Sequence, residues 1–201
     1  MDKPFWEKIY ADMSVATFGK RPAGDVMKMS SSFKKGMRAL DIGCGEGRNA
    51  IYLAELGLDV DAFDISEAGI EKLKRIAEEK GINVNAWAKD LNRFIFDKKY
   101  DVIICHGVLH LVEKHEWQRM IKDIKINTNQ GGLNIIGVFT NTLPAAPDLV
   151  LFTKALFNEG ELKELYTDWN IVDYNAYVFE DEHPGGVHHK HAANNIIASK
   201  Y

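Results

Sequence analysis

Apolar positions along this chain switch repeatedly between two periods. Compact apolar runs at residues 37–42, 58–63, 82–88, 100–105 and 133–139 read as strands. Between them lie segments with apolar residues three and four apart, the spacing of one helical face. Residues 48–56 form the first such segment, closed by Gly57. Ser66 caps a second that runs to Lys80, with Ile70, Leu73 and Ala77 on one face and Gly81 behind it. A third, 114–128, presents Trp117, Ile121 and Ile124, and Gly131-Gly132 separates it from the fifth strand. Two amphipathic helices are expected ahead of this core, at 5–11 and 23–33. After residue 139 come a proline-bearing loop (141–147), a short helix at 160–168, and two strand-like stretches at 169–179 and 187–199. A turn containing Pro184-Gly185-Gly186 joins those two, so they should pair antiparallel. The alternation predicts an α/β fold: a doubly wound, mostly parallel seven-stranded sheet ending in an antiparallel hairpin. One domain is expected, with residues 1–35 as a helical lid, 36–140 as a ligand-binding core and 141–201 as the substrate side.

Composition narrows the function classes. The 201 residues are 46% apolar and carry a formal net charge of -4. No basic block offers phosphates an electrostatic footprint, which argues against a nucleic-acid partner. No apolar run approaches membrane-spanning length, and the charged start is unlike an export leader. Cys44 and Cys105 are then expected as reduced thiols in a cytoplasmic protein. The expected partner is a small molecule, and the expected assembly a monomer or homodimer.

Candidate chemistry concentrates at the strand ends. Residues 40–48 read Leu-Asp-Ile-Gly-Cys-Gly-Glu-Gly-Arg: an apolar run closed by Asp41, then Gly43, Gly45 and Gly47 at every second position. Glycine lets the chain turn sharply and lets a ligand lie against bare peptide. Asp64 ends the second strand and Asp90 follows the third. Ligands of an open parallel sheet bind outside these carboxyl ends, so the three acids should share one crevice. Asp64 suits the two hydroxyls of a ribose, and Asp90 the amino group of a purine. A dinucleotide fingerprint needs a third glycine where Arg48 stands, and no Gly-Lys-Ser/Thr phosphate loop is present. An acidic rim repels pyrophosphate but tolerates a cationic nucleoside, and S-adenosylmethionine has two cationic groups and no phosphate.

These residues resemble the class I S-adenosylmethionine-dependent methyltransferases over about residues 38–139. Residues 41–47 are similar to the first motif, Asp64 to the ribose acid, Asp90-Leu91 to the adenine segment, and 100–110 (YDVIICHGVLH) to the fourth motif. The whole chain resembles the tellurite-resistance (TehB-like) branch through Phe5-Trp6-Glu7-Lys8-Ile9-Tyr10, the late Gly160-Glu161-Leu162-Lys163-Glu164-Leu165 and the closing Asn194-Asn195-Ile196-Ile197-Ala198. The resemblance implies a Rossmann-like fold and S-adenosylmethionine as cofactor. It implies cofactor contacts at Asp41, Gly43, Gly45, Gly47, Asn49, Asp64, Ile65, Asp90, Leu91 and His106, with Tyr10 and Trp6 on a lid. It also implies methyl transfer to a small molecule, a tellurium or selenium oxyanion among the candidates. A thiol or heterocyclic acceptor, a nicotinamide-dependent oxidoreductase and a non-catalytic nucleoside-binding protein stand as alternatives.

Four of the seven histidines fall between positions 183 and 191. Strand alternation puts His189 and His191 on one face, and His188 with Lys190 on the other. His188, His189 and His191 are the candidate catalytic groups, with Lys190 and Arg21 as further cations for an anionic acceptor. Exposed histidines on a hairpin edge are the plainer reading. A His-x-His pair can share a metal ion, but no cysteine or neighbouring carboxylate completes a set, so no metal is assigned.

Overall fold

The computed structural model describes residues 4–17, 19–147, 149–182 and 188–201. Its strands are β1 (Arg38–Ile42), β2 (Asp59–Asp64), β3 (Asn85–Ala88), β4 (Tyr100–His106), β5 (Thr128–Phe139), β6 (Asn170–Asp181) and β7 (His189–Ser199). They form one sheet in the order β3-β2-β1-β4-β5-β7-β6. The first five strands pair parallel, and β7 inserts antiparallel between β5 and β6. The expected sheet and terminal hairpin are both present. His183 and the Pro184-Gly185-Gly186 turn lie outside the described residues.

Helices cover both faces, as parallel strands buried on two sides require. On one face α2 (Gly24–Lys28), α3 (Arg48–Glu55) and α4 (Glu67–Lys80) set Val26, Ala50, Leu53, Ile70 and Leu73 against Ala39, Val60, Ala62, Val102 and Ile104. On the other, α5 (Lys114–Ile126) and the single turn α6 (Glu161–Glu164) pack Trp117, Met120, Ile124 and Leu162 onto Leu40, Ile42, Ile103, Cys105 and Ile136. The short α1 (Phe5–Tyr10) lies against α4. β1 sits between β2 and β4, the point where strand order reverses and a crevice opens at the strands' carboxyl ends.

Several boundaries differ from the sequence pattern for local reasons. The helix expected over 23–33 stops at Lys28, and Ser30–Ser32 follow as a separate tight turn, because serine hydroxyls compete with helical backbone bonding. β3 starts at Asn85 because Ile82 belongs to the end of α4: its N–H donates to Ala77 O while the Gly81 N–H donates to Glu78 O. Gly131-Gly132 does not precede β5 but lies inside it. A Cβ on Gly132 would stand 2.9 Å from the Asp101 carbonyl, beside a register shift in β4–β5. The sixth strand reaches Asp181, two residues past the expected end.

Trp117 is fully buried and stacks on Phe157 at 4.1 Å between ring centroids. Trp117→Ala should cost about 3–5 kcal/mol in urea unfolding. Trp117→Phe should cost far less, because among the described residues the indole N–H has no acceptor to lose.

Candidate active site

The crevice is a cleft of about 1110 Å³. Its floor is the glycine turn. Gly43, Gly45 and Gly47 take φ values of 67°, 55° and 87°, a region that L side chains rarely enter. Each is also crowded. A Cβ would meet Val108 at 2.8 Å above Gly43, the Tyr10 hydroxyl at 2.5 Å above Gly45, and Leu73 at 2.4 Å above Gly47. Gly43 and Gly45 line the cleft; Gly47 does not, and serves the turn by admitting Leu73.

Asp64, at the end of β2, fastens the turn. Its Oδ2 accepts the Gly45 N–H and its Oδ1 the Ser66 N–H, each at 2.8 Å. Burial raises its carboxyl above the ordinary range, and those two donors oppose the rise. Ile65 beside it is an apolar side chain 68% exposed at the cleft wall, where a planar ring could cover it. Asp90 accepts the Asn92 N–H, heads a short helical turn and faces the cleft with the buried Leu91. Asp41 is almost fully buried at the opposite rim and accepts the Ala50 N–H at 3.1 Å. Burial drives its carboxyl from 3.8 to about 7, only partly offset by His106, Ala50 and Arg48.

The N-terminal segment closes over this floor. Tyr10 is buried with its hydroxyl above Gly45, and Asn49 Oδ1 accepts the Ala23 N–H. Lys72 supplies the clamp: its Nζ lies 2.6 Å from Glu46 Oε2 and donates to the Asp12 and Val15 carbonyls. Glu46 Oε1 in turn accepts the Thr17 N–H. Trp6 of α1 meets Phe152, from the loop after β5, edge to face at 5.7 Å, so the cleft has covers from two sides.

His106 ends β4 at the middle of the cleft, with Nε2 3.0 Å from Asp25 Oδ2. Burial would raise the Asp25 carboxyl, but His106 and the Val26 N–H hold it below its usual range. Asn195 of β7 donates to the same carboxylate at 3.2 Å. Beyond this junction the wall is one face of the β6–β7 hairpin: Tyr177, Phe179 and Asp181 on β6, Ala193 and Asn195 on β7. His189 and His191 lie on that face and are buried, with their Nε2 atoms 2.9 Å apart. His191 stacks on Phe139 at 4.2 Å, and Phe139 on His110 at 4.4 Å. Burial, helped by His191, pushes His110 down to about 3, so that ring is neutral.

The structure therefore brings together Asp41, Gly43, Gly45, Asn49, Asp64, Ile65, Asp90, Leu91, His106 and Tyr10 along one cleft. His189 and His191 stand just behind its far wall. His188 and Lys190 do not join them: both are exposed and lie beside Glu180 on the hairpin's other side. Arg21 is exposed away from the lining. Sequence reasoning missed Asp25, Lys154, Tyr177, Asn195 and Asp181 as cleft-side groups. Continuing the His189-His191 alternation by two steps would have found Asn195. Asp181 was visible only once the hairpin register set it opposite His189. Cys105 is fully buried in the core, whereas Cys44 touches the cleft with its thiol pushed up by burial.

A family model described as "Tellurite resistance protein TehB" matches residues 11–201. The chain belongs to this family. A relative from Haemophilus influenzae, named probable S-adenosyl-L-methionine-dependent methyltransferase TehB, is 34% identical over 166 residues, 82% of this chain and 54% of that one. The crystal structure of TehB from Haemophilus influenzae superposes with a TM-score of 0.80 at 30% identity, covering 90% of this chain and 63% of that one. More distantly, a ubiquinone biosynthesis O-methyltransferase of Rickettsia conorii is 34% identical over 118 residues, 59% of this chain and 40% of that one. The chain spans about half the length of the curated TehB relatives it matches. Among the described residues no helix is long and apolar enough to cross a membrane.

The raised Asp41 carboxyl has a signed consequence. The folded chain holds this proton more tightly than the unfolded chain, so the group's contribution to stability falls as pH rises from 3.8 toward about 7. Asp41→Asn should therefore gain on the parent chain, in ligand-free urea unfolding, by a few kcal/mol more near neutral pH than near pH 4.

Proposed function

We propose that this chain transfers the methyl group of S-adenosylmethionine to a small acceptor held against the β6–β7 wall. One observation carries the reading. Asp41, Asp64 and Asp90, from the carboxyl ends of successive strands, converge on one cleft floored by the positive-φ glycine turn. Asp64 keeps lone pairs for two ribose hydroxyls while its backbone donors hold it in place. Ile65 and Leu91 flank a purine, whose amino group Asp90 accepts. Asp41 and the rest of the acidic rim favour the cationic end of the ligand. The relatives' names point the same way.

Methyl transfer is an in-line displacement. A lone pair on the acceptor attacks the methyl carbon, the C–S bond breaks, and its electron pair stays on sulfur, giving S-adenosylhomocysteine. A soft, electron-rich acceptor needs little acid–base help, so orientation is the protein's main contribution and can supply several kcal/mol. The Asp25–His106–Asn195 junction marks the border between the cofactor half of the cleft and the acceptor half. The stacked His110, Phe139 and His191 rings give the acceptor half a rigid back wall. Lys154 and Arg48 are cations on the lining, in keeping with a tellurium or selenium oxyanion as acceptor.

Calorimetric titration should show one S-adenosylmethionine bound per chain. Asp64→Ala should weaken it at least tenfold, as loss of hydrogen bonds to a buried carboxylate demands. Below about pH 7 binding should release protons, since a cationic ligand expels the proton from Asp41. Tellurite, selenite and a thiol, each tested for S-adenosylhomocysteine formation, would then separate the acceptors. Unchanged affinity in Asp64→Ala, or no binding at millimolar ligand, would overturn the reading.

A further inference from the structure

We propose that Asp181, His189 and His191 form a binding site for one divalent transition-metal ion at the acceptor end of the cleft. The hairpin builds the set. β6 and β7 pair antiparallel with Asp181 opposite His189 and Phe179 opposite His191, and directly opposed residues project to the same side of a sheet. His189 and His191, two apart on one strand, share that side. Each of the three residues thereby offers a ligand atom, and all three atoms lie within 4.8 Å of one another.

The distances suit a shared ion. Two imidazole nitrogens bound at ~2.0–2.1 Å to one metal stand ~2.9 Å apart at a right angle and ~3.3 Å apart at a tetrahedral one. The His189 and His191 Nε2 atoms are 2.9 Å apart already, so the imidazole pair needs a shift of a few tenths of an ångström at most, and the Asp181 carboxylate completes a set whose ligand atoms lie within 4.8 Å of one another. Both imidazoles are buried, and the Phe139 and Phe179 rings flank His191 at 4.2 and 5.2 Å between centroids, fixing its plane. An apolar surround of this kind limits solvent access to a metal site and lowers its local dielectric.

The donors select the metal class. Two nitrogens and one carboxylate oxygen suit zinc, iron(II), cobalt(II), nickel(II) or manganese(II); an all-oxygen set would be needed for calcium or magnesium, and thiolates for copper(I). Three protein ligands leave coordination positions open, and Asp181 lines the cleft, so those positions reach it from the carboxylate side. Charge argues the same way. An acid on the wall that must receive an anionic acceptor repels it, and a divalent cation on that acid reverses the sign. The ion's role in presenting an acceptor oxygen or sulfur rests on the proposed methyl transfer; its binding does not.

Chelator-stripped protein titrated with Zn²⁺ should bind one equivalent, and Co²⁺ should give d–d absorption bands of a nitrogen- and oxygen-ligated ion. His191→Ala, His189→Gln and Asp181→Asn should each weaken Zn²⁺ at least tenfold, while His115→Ala, on the exposed side of α5, leaves it unchanged. S-adenosylmethionine affinity, measured on the same samples, should stay within twofold in all four variants, which also reports that they are folded. Absence of stoichiometric Zn²⁺ binding by the parent chain, or equal binding by His189→Gln and Asp181→Asn, overturns the metal site. Loss of S-adenosylmethionine binding by the parent chain would instead overturn the methyl-transfer reading and leave the metal result standing.

Discussion

Three close approaches to backbone hold this site together. Val108, Tyr10 and Leu73 come from the loop after β4, from α1 and from α4, and each occupies the space a Cβ would take on one glycine of a single turn. All three glycines also adopt positive φ. Sterics therefore exclude side chains here twice over, once through the dihedral and once through the neighbours. The turn is a meeting point at which the N-terminal helix α1, a sheet-covering helix and a pocket loop are brought into register. Asp64 then ties β2 to the same few atoms through the Gly45 N–H. A shift in any one of these elements would be felt by the others.

Charge placement follows a matching logic. The cleft rim is acidic and partly dehydrated, which raises the carboxyls of Asp41 and Asp64. Beneath the N-terminal segment the buried Lys72 is committed to Glu46 and two carbonyls of that segment. Removing one partner from such a buried pair generally costs about 3–5 kcal/mol, because the other charge is left without compensation. The N-terminal cover is thus held by electrostatics as much as by Tyr10. Further along, the neutral His110 stacks on Phe139, and Phe139 in turn on His191 of the imidazole pair on β7.

Much of this was legible in residue order, and the exceptions are instructive. The glycine turn, Asp64 and Asp90 could be read because parallel strands place their carboxyl ends on one side whatever the detail of packing. His106 came from the resemblance of residues 100–110 to the fourth motif, and β4 does end at it. Gly47 was readable as part of the turn, but only packing shows that it faces Leu73 and not the cleft. Asp25 and Asn195 are separated by 170 positions and meet only through the tertiary fold, so no local pattern could pair them. Asp181 was hidden by a boundary: ending the sixth strand two residues early left it in a turn, where it has no face. One added step of pairing puts it opposite His189. His188 shows the reverse case: alternation separated it from His189 and His191, yet it was counted with them as a candidate catalytic group, and only the hairpin's packing shows that its side faces out beside Glu180.

The placement of β7 between β5 and β6 bears on how the molecule is made. A nascent chain extended only through residue 181 presents β5 with an open edge and β6 with no neighbour to join. Both gaps close together when residues 189–199 arrive, through a hairpin with β6 and through pairing with β5 at long sequence separation, which forms slowly. Until then two hydrogen-bonding borders lie bare, an invitation to self-association that chaperones would have to suppress. The β6–β7 wall, built from those same late strands, must be the last part of the cleft to take shape.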